Sequence, residues 1–215
     1  MSSTSPAPAA HPHDPVRDHS PVPVPRADRS WAWLAVVCSV VGFAASAVLV
    51  AERLAIFQDA GHRSSCDFNS WLSCGTVMRT PQAELFGFPN PFIGIVAYAV
   101  VLAVAVGVLA GARYARWYWV LLWLGTAAGS VFTLWLWWQT TFHINALCLY
   151  CMIVWCAQTL LLAHTTARMR QAGILSSSPR GMDSGLSAWA WFSGIAALVV
   201  VFGVIAVRFA TVIFG

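Results

Sequence analysis

Charge is what this sequence lacks. Only 9% of its 215 residues are Asp, Glu, Lys or Arg, against roughly 25% in a soluble globular domain. So few charges cannot clothe a water-facing surface of this size. That argues against a soluble enzyme, a nucleic-acid binder and a disordered regulator. Lysine is missing altogether, and the formal charge of +4 comes from 12 arginines set against 8 acids. Arginines this scattered read as a membrane-topology signal rather than a nucleic-acid footprint. What is plentiful is apolar: 59% of the residues are hydrophobic and the mean hydropathy is +0.69. The chain reads as a membrane protein.

Residues 1–30 hold seven of the eleven prolines, with Ser, His and Asp and few apolar side chains. Such a segment buries too little surface to offset its ordering entropy, and is expected to be a disordered tail. It is too long and too proline-rich for the start of a signal peptide. Five uncharged stretches follow, at residues 31–51, 91–112, 117–138, 146–163 and 186–207. A helix needs roughly 20 residues to cross about 30 Å of hydrocarbon, and in lipid the backbone must satisfy its own hydrogen bonds. The expectation is an all-α integral membrane protein with five spans, and tryptophans at 31, 33, 137, 138, 189 and 191 in the interfacial belts.

With the amino terminus inside, the cytoplasmic segments carry Arg17, Arg26, Arg29, Arg113, Arg116, Arg168, Arg170 and Arg180, and the outer ones Arg53, Arg63, Arg79 and Arg208. Eight against four favours that orientation. The long connection 52–89 then lies outside, and connections of that length are usually functional. Residues 140–145 share its face, and the connection around 176–179 reads as a flexible linker.

Four of the six cysteines fall on the outer face: Cys66 and Cys74 in the long connection, and Cys148 and Cys151 as Cys-Leu-Tyr-Cys at the start of the fourth span. The C-x-x-C spacing puts two sulfurs on one helix face, close enough to form a small disulfide. Cys148 is expected in the first turn, where free N–H groups and the helix dipole favour the thiolate. Cys151 lies roughly 4.5 Å deeper by the helical rise. One sulfur then meets the water-side loop and the other faces the membrane interior, the geometry for passing electrons to a lipid-soluble acceptor. Two alternatives stand beside this reading: a four-thiolate zinc site and a pair of structural disulfides. Cys38 and Cys156, inside spans, are expected to pack as small hydrophobes. Of the histidines, His143 is an interfacial polar residue near the C-x-x-C, and His164 suits the inner end of span four as a charge. Glu84 and Asp59 are expected to be solvated.

The run Cys66-Asp67 to Cys74-Gly75, then Pro81 to Pro91 with Asn90 before the second span, resembles the bacterial vitamin K epoxide reductase family. Ala146 to Cys151 looks like that family's active-site motif, and the resemblance covers residues 31–165. It implies a four-helix bundle around a quinone, menaquinone rather than ubiquinone, plus a fifth transmembrane helix. By the same analogy Cys148 and Cys151 are the redox centre, Cys151 being the sulfur that reacts with the quinone ring. Cys66 and Cys74 form a shuttle pair: Cys74 exchanges with Cys148, and Cys66 faces the partner. Asn90 matches a position that hydrogen-bonds a quinone oxygen. Some relatives carry a tyrosine four residues after the second active-site cysteine; here Trp155 stands there, with an indole N–H able to donate.

The activity so implied is quinone-dependent oxidation of a separate, DsbA-like thioredoxin-fold protein outside the cytoplasm, since only eight residues follow Val207. A rival is reduction of vitamin K epoxide or quinone by the same residues. A transporter is disfavoured, because none of the five stretches holds an acidic or basic residue. The loop is expected to move for Cys74 to meet Cys148, and Trp71 and Leu72 to rest on the bilayer or cover the quinone pocket.

Overall fold

The computed structural model describes residues 26–59, 61–175 and 184–210. In chain order it contains α1 (Arg26–Gln58), a short α2 (Cys74–Met78), α3 (Pro91–Leu109), α4 (Arg116–Trp138), α5 (Leu149–Gln171) and α6 (Ser184–Arg208). All but α2 are long and apolar enough to cross a membrane. The protein is all-α. Among the described residues the strand-like pairing is a single parallel bridge between Leu72 and Leu147. Residues 1–25 of the expected tail, and the expected linker at 176–179, lie outside the described residues; residues 26–30 are the first turns of α1.

The five expected spans are present, but their ends move for tertiary reasons. Helix α1 runs seven residues past Ala51 because its first charges find partners. Glu52 meets His62 at 3.0 Å and accepts the Ser65 N–H at 3.1 Å, while Arg53 pairs with Glu84. Glu84 is therefore paired rather than solvated as expected; Asp59 accepts the Gly61 N–H in an exposed turn. Helix α5 continues past Ala163 because Arg168 reaches Asp28 of α1 at 2.8 Å and lies 3.6 Å over the Trp119 ring. Its start shifts from 146 to 149, since the preceding residues run extended to make the bridge with Leu72. Helix α4 ends in a π-helical turn, Gln139–Ile144, closed by Asn145 in the left-handed region at φ 55°.

Helix α1 is central, packed on α3 and α5; α5 in turn carries α4 and α6. Close approach of helices in lipid relies on small residues and van der Waals fit. Gly42 of α1 shows this: a Cβ there would overlap the Tyr98 ring of α3. Pro91 opens α3 where its missing N–H costs nothing. Helices α1, α3, α4 and α5 surround a cavity, and α6 lies outside it against α5. His164 faces that outer contact, buried against Trp191 with ring centroids 4.6 Å apart.

Candidate redox site

The site is assembled by a carboxylate and a two-residue stitch. Asp67 accepts the Gly75 N–H at 2.8 Å, the Ser73 hydroxyl at 2.7 Å and the Ser64 N–H at 2.9 Å. Partial burial pushes the Asp67 carboxyl up. The bonds from Gly75, Ser73 and Ser64, with the charge of Arg63, more than offset this and hold it below the usual aspartate value. The loop folds around this one side chain, so close to Gly75 that a Cβ there would stand 2.7 Å from Asp67 Oδ2. Ser73 caps α2 by accepting the Thr76 N–H at 3.1 Å, which puts Cys74 in the first turn. Cys66 and Cys74 are joined as a disulfide, with Cα atoms 5.6 Å apart.

The stitch brings the second pair alongside. Leu147 N–H donates to Trp71 O at 2.7 Å and Ser73 N–H to Leu147 O at 2.9 Å, so the residues preceding Cys74 and Cys148 lie side by side. As a result the sulfurs of Cys66, Cys74 and Cys148 all lie within 4.8 Å of one another. Cys74 and Cys148, which a loop movement was expected to bring together, are already neighbours in this arrangement. All three cysteines are buried, at 1%, 0% and 0% exposure.

Cys148 is not inside the helix, as expected, but is its N-cap. Its sulfur accepts the Cys151 N–H at 3.4 Å. Cys148 and Cys151 are unbonded here, as are Cys38 and Cys156; Cys38 is buried in the apolar core. Three clustered sulfurs also resemble a ligand set for a soft metal. As joined here, two of them form a disulfide and the third is a free thiol.

Cys151 packs against the cluster that holds Cys66, Cys74 and Cys148, and also reaches the cavity. This cavity of about 450 Å³ is enclosed by the four central helices, and its wall is predominantly apolar. That size and character suit a small apolar ligand oriented by a few polar groups. Asn90 and Trp155 line it too. The Asn90 amide also ties the loop, donating to Gln82 O at 2.7 Å and accepting the Leu85 N–H at 3.1 Å. One N–H of its two remains beyond that bond. Deeper in the bundle, Gln158 accepts the Tyr98 hydroxyl at 3.2 Å and donates to Thr126 O at 2.8 Å and Ser130 Oγ at 3.2 Å.

Sequence reasoning brought the four cysteines, Asn90 and Trp155 to one end of the bundle, and the structure places them there. It missed the work of Asp67, Glu52, Ser73 and Gln158. Of these, only Ser73 carried a local signal, a serine just before a helix start. His143 is exposed on the π-helical turn and does not line the cavity. Trp71 neither lines the cavity nor covers it; its ring stands 6.2 Å from that of Phe209 beyond α6.

No curated protein matches the chain. A family model, the vitamin K epoxide reductase family, matches residues 33–166. The match takes in all four site cysteines and the four helices around the cavity. With that match spanning more than half its length, the chain belongs to the vitamin K epoxide reductase family, membrane oxidoreductases that link thiols to quinones.

Proposed function

We propose that the protein generates disulfides: it reoxidises a separate, DsbA-like thioredoxin-fold protein outside the cytoplasm and passes the electrons to a membrane quinone. The observation that carries this reading is the two-sided placement of the C-x-x-C. Cys148 sits within 4.8 Å of the Cys66–Cys74 sulfurs, and Cys151, one turn on, lines the cavity. A cell-membrane setting with the amino terminus inside and the four cysteines outside follows from the arginine distribution.

The exchange balances as follows. A partner thiolate attacks Cys66, and Cys74 leaves as a thiolate; the partner's second thiol then releases the partner as a disulfide. The Cys74 thiolate attacks Cys148 of an oxidised Cys148–Cys151 pair, expelling Cys151 as a thiolate. Cys66 then attacks Cys74, restoring Cys66–Cys74 and leaving the inner pair reduced. Rates follow thiolate fraction and leaving-group pKa. A quinone in the cavity supplies a two-electron, two-proton acceptor. Asn90 would hold one ring oxygen through its remaining N–H, Trp155 would wall or bond the ring, and Cys151 would be the sulfur beside it. Menaquinone is the form we propose.

The test is disulfide formation in a reduced thioredoxin-fold protein, followed with the reconstituted chain and a short-chain menaquinone. Oxidation that needs quinone and all four cysteines supports the relay. Activity surviving Cys66→Ser and Cys74→Ser would reduce the loop pair to structure. Consumption of vitamin K epoxide without partner oxidation would point to the rival reductase.

A further inference from the structure

Helix α6 lies beyond the residues the family model matches and contributes nothing to the cavity wall. Yet its final turn ends on the redox site. Arg208 Nη2 donates to the Asn145 side-chain oxygen at 2.8 Å. Asn145 is the residue in the left-handed conformation that turns the chain from α4 into the approach to Cys148, and its own Nδ2 donates to His143 O at 3.3 Å. One residue further on, Phe209 is buried at 4% exposure with Ile205 in a cluster that includes Leu147 and Trp155. Trp71 joins the same cluster, facing the Phe209 ring.

We infer that the end of α6 is a positioning element for sulfur exchange: Arg208, Ile205 and Phe209 hold the Asn145–Leu147 approach against Trp71, so that Cys148 stays in register with Cys74. The contacts fall on both halves of the stitch, since Leu147 bonds Trp71 and Ser73 through its backbone. Asn145 tolerates φ 55° better than most residues, but that conformation still needs support. The guanidinium provides it, seated at a helix C-terminus where the dipole favours a cation. Trp155 extends the same contact to the cavity wall, so one helix end sets both sides of the C-x-x-C. The inference rests on the exchange between Cys74 and Cys148 proposed above.

The test isolates that exchange from partner and quinone. In a chain carrying Cys151→Ser, the Cys148 thiolate attacks Cys74 of the Cys66–Cys74 disulfide, forming Cys74–Cys148 and freeing Cys66 as a thiolate. Membrane-embedded protein is jumped from acid to pH 8, quenched and alkylated, and the two linkages are counted by mass spectrometry over time. Phe209→Ala is expected to slow the interchange about tenfold, as small misplacements of reacting groups do. Arg208→Met and Asn145→Gly, which keeps the left-handed turn, should each slow it about threefold; together they should do no more than either alone, with Arg208→Lys recovering most of the rate. His164→Leu is the control, because it disturbs the α5–α6 contact far from the site and should leave the interchange unchanged. Rates within twofold for Phe209→Ala and Arg208→Met would overturn the inference. So would an equal loss in His164→Leu, since α6 would then act only through bundle stability. Failure of the unaltered chain to couple partner oxidation to quinone would instead count against the proposed function.

Discussion

At one end of the bundle, Arg168 of α5 bonds Asp28 of α1 and lies over Trp119, Trp31 donates to Thr165 at 3.1 Å, and the Trp31 and Trp119 rings meet edge to face at 4.9 Å. At the other end, Asp67, Glu52 and Ser73 gather backbone N–H groups of a loop around three sulfurs. Both ends bury polar groups that lipid or core would otherwise penalise. In the first, these bonds run between spanning helices, so none of them opens without moving a helix. In the second, the bonds run from loop to loop or from loop to helix end. Breaking a few of them can uncover the disulfide while the bundle stays intact. The difference separates what fixes the helices from what, in the proposed exchange, would yield to an incoming thiol.

The strongest way to break the comparison is at the sulfurs. Cys74→Ser or Cys148→Ser should lower quinone-dependent partner oxidation by about a thousandfold or more while leaving the thermal midpoint near that of the parent. The opposite outcome is expected at the other end. Arg168→Met leaves Asp28 without its partner and should cost about 3 kcal/mol of stability in a denaturant titration, with activity per folded molecule within about twofold. A large activity loss there would mean that the two ends are coupled.

Asp67→Asn sharpens the contrast, since one amide cannot accept all three of the bonds the carboxylate accepts. Partner oxidation should fall about tenfold at neutral pH, with little change in the bundle's thermal midpoint. The pH dependence has a fixed sign. Asp67 is held below its usual value in the folded loop, so its contribution is fully present above the unfolded value, about pH 4, and is lost as pH falls through the lowered one. Protease sensitivity of the loop should rise on that acid side in the parent and show no such step in Asp67→Asn. The smallest effect is expected from Gln158→Leu. The deep polar network shapes the cavity without touching the sulfurs, so the KM for quinone should rise about threefold and kcat should hold.

Much of this was readable before any fold was known. Spans of uncharged residues have one solution in lipid, and two separated cysteine pairs on one face limit the chemistry. What could not be read depended on distant partners. Glu52 and Arg53 look like a helix end until His62, Ser65 and Glu84 are seen to receive them. Arg168 looks like a loop charge until Asp28 and Trp119 bury it. The shift of Cys148 from first turn to N-cap arose because the Leu72–Leu147 bridge claims the preceding residues. The role of Asp67 lies in bonds to residues three, six and eight positions away, and no periodicity announces such a staple.

If the loop disulfide takes electrons as proposed, its burial decides which thiols can reach it. A site that hands electrons to the membrane would be a leak if any small thiol could discharge into it. With Cys66 and Cys74 at 1% and 0% exposure, glutathione-sized reductants meet the sulfurs only in the rare open state of the loop, and their rate is scaled down by that population. A protein that docks and displaces the loop faces no such tax. Under the proposed function the closed loop would then be a toll gate, admitting a docking protein and insulating the relay from small reductants.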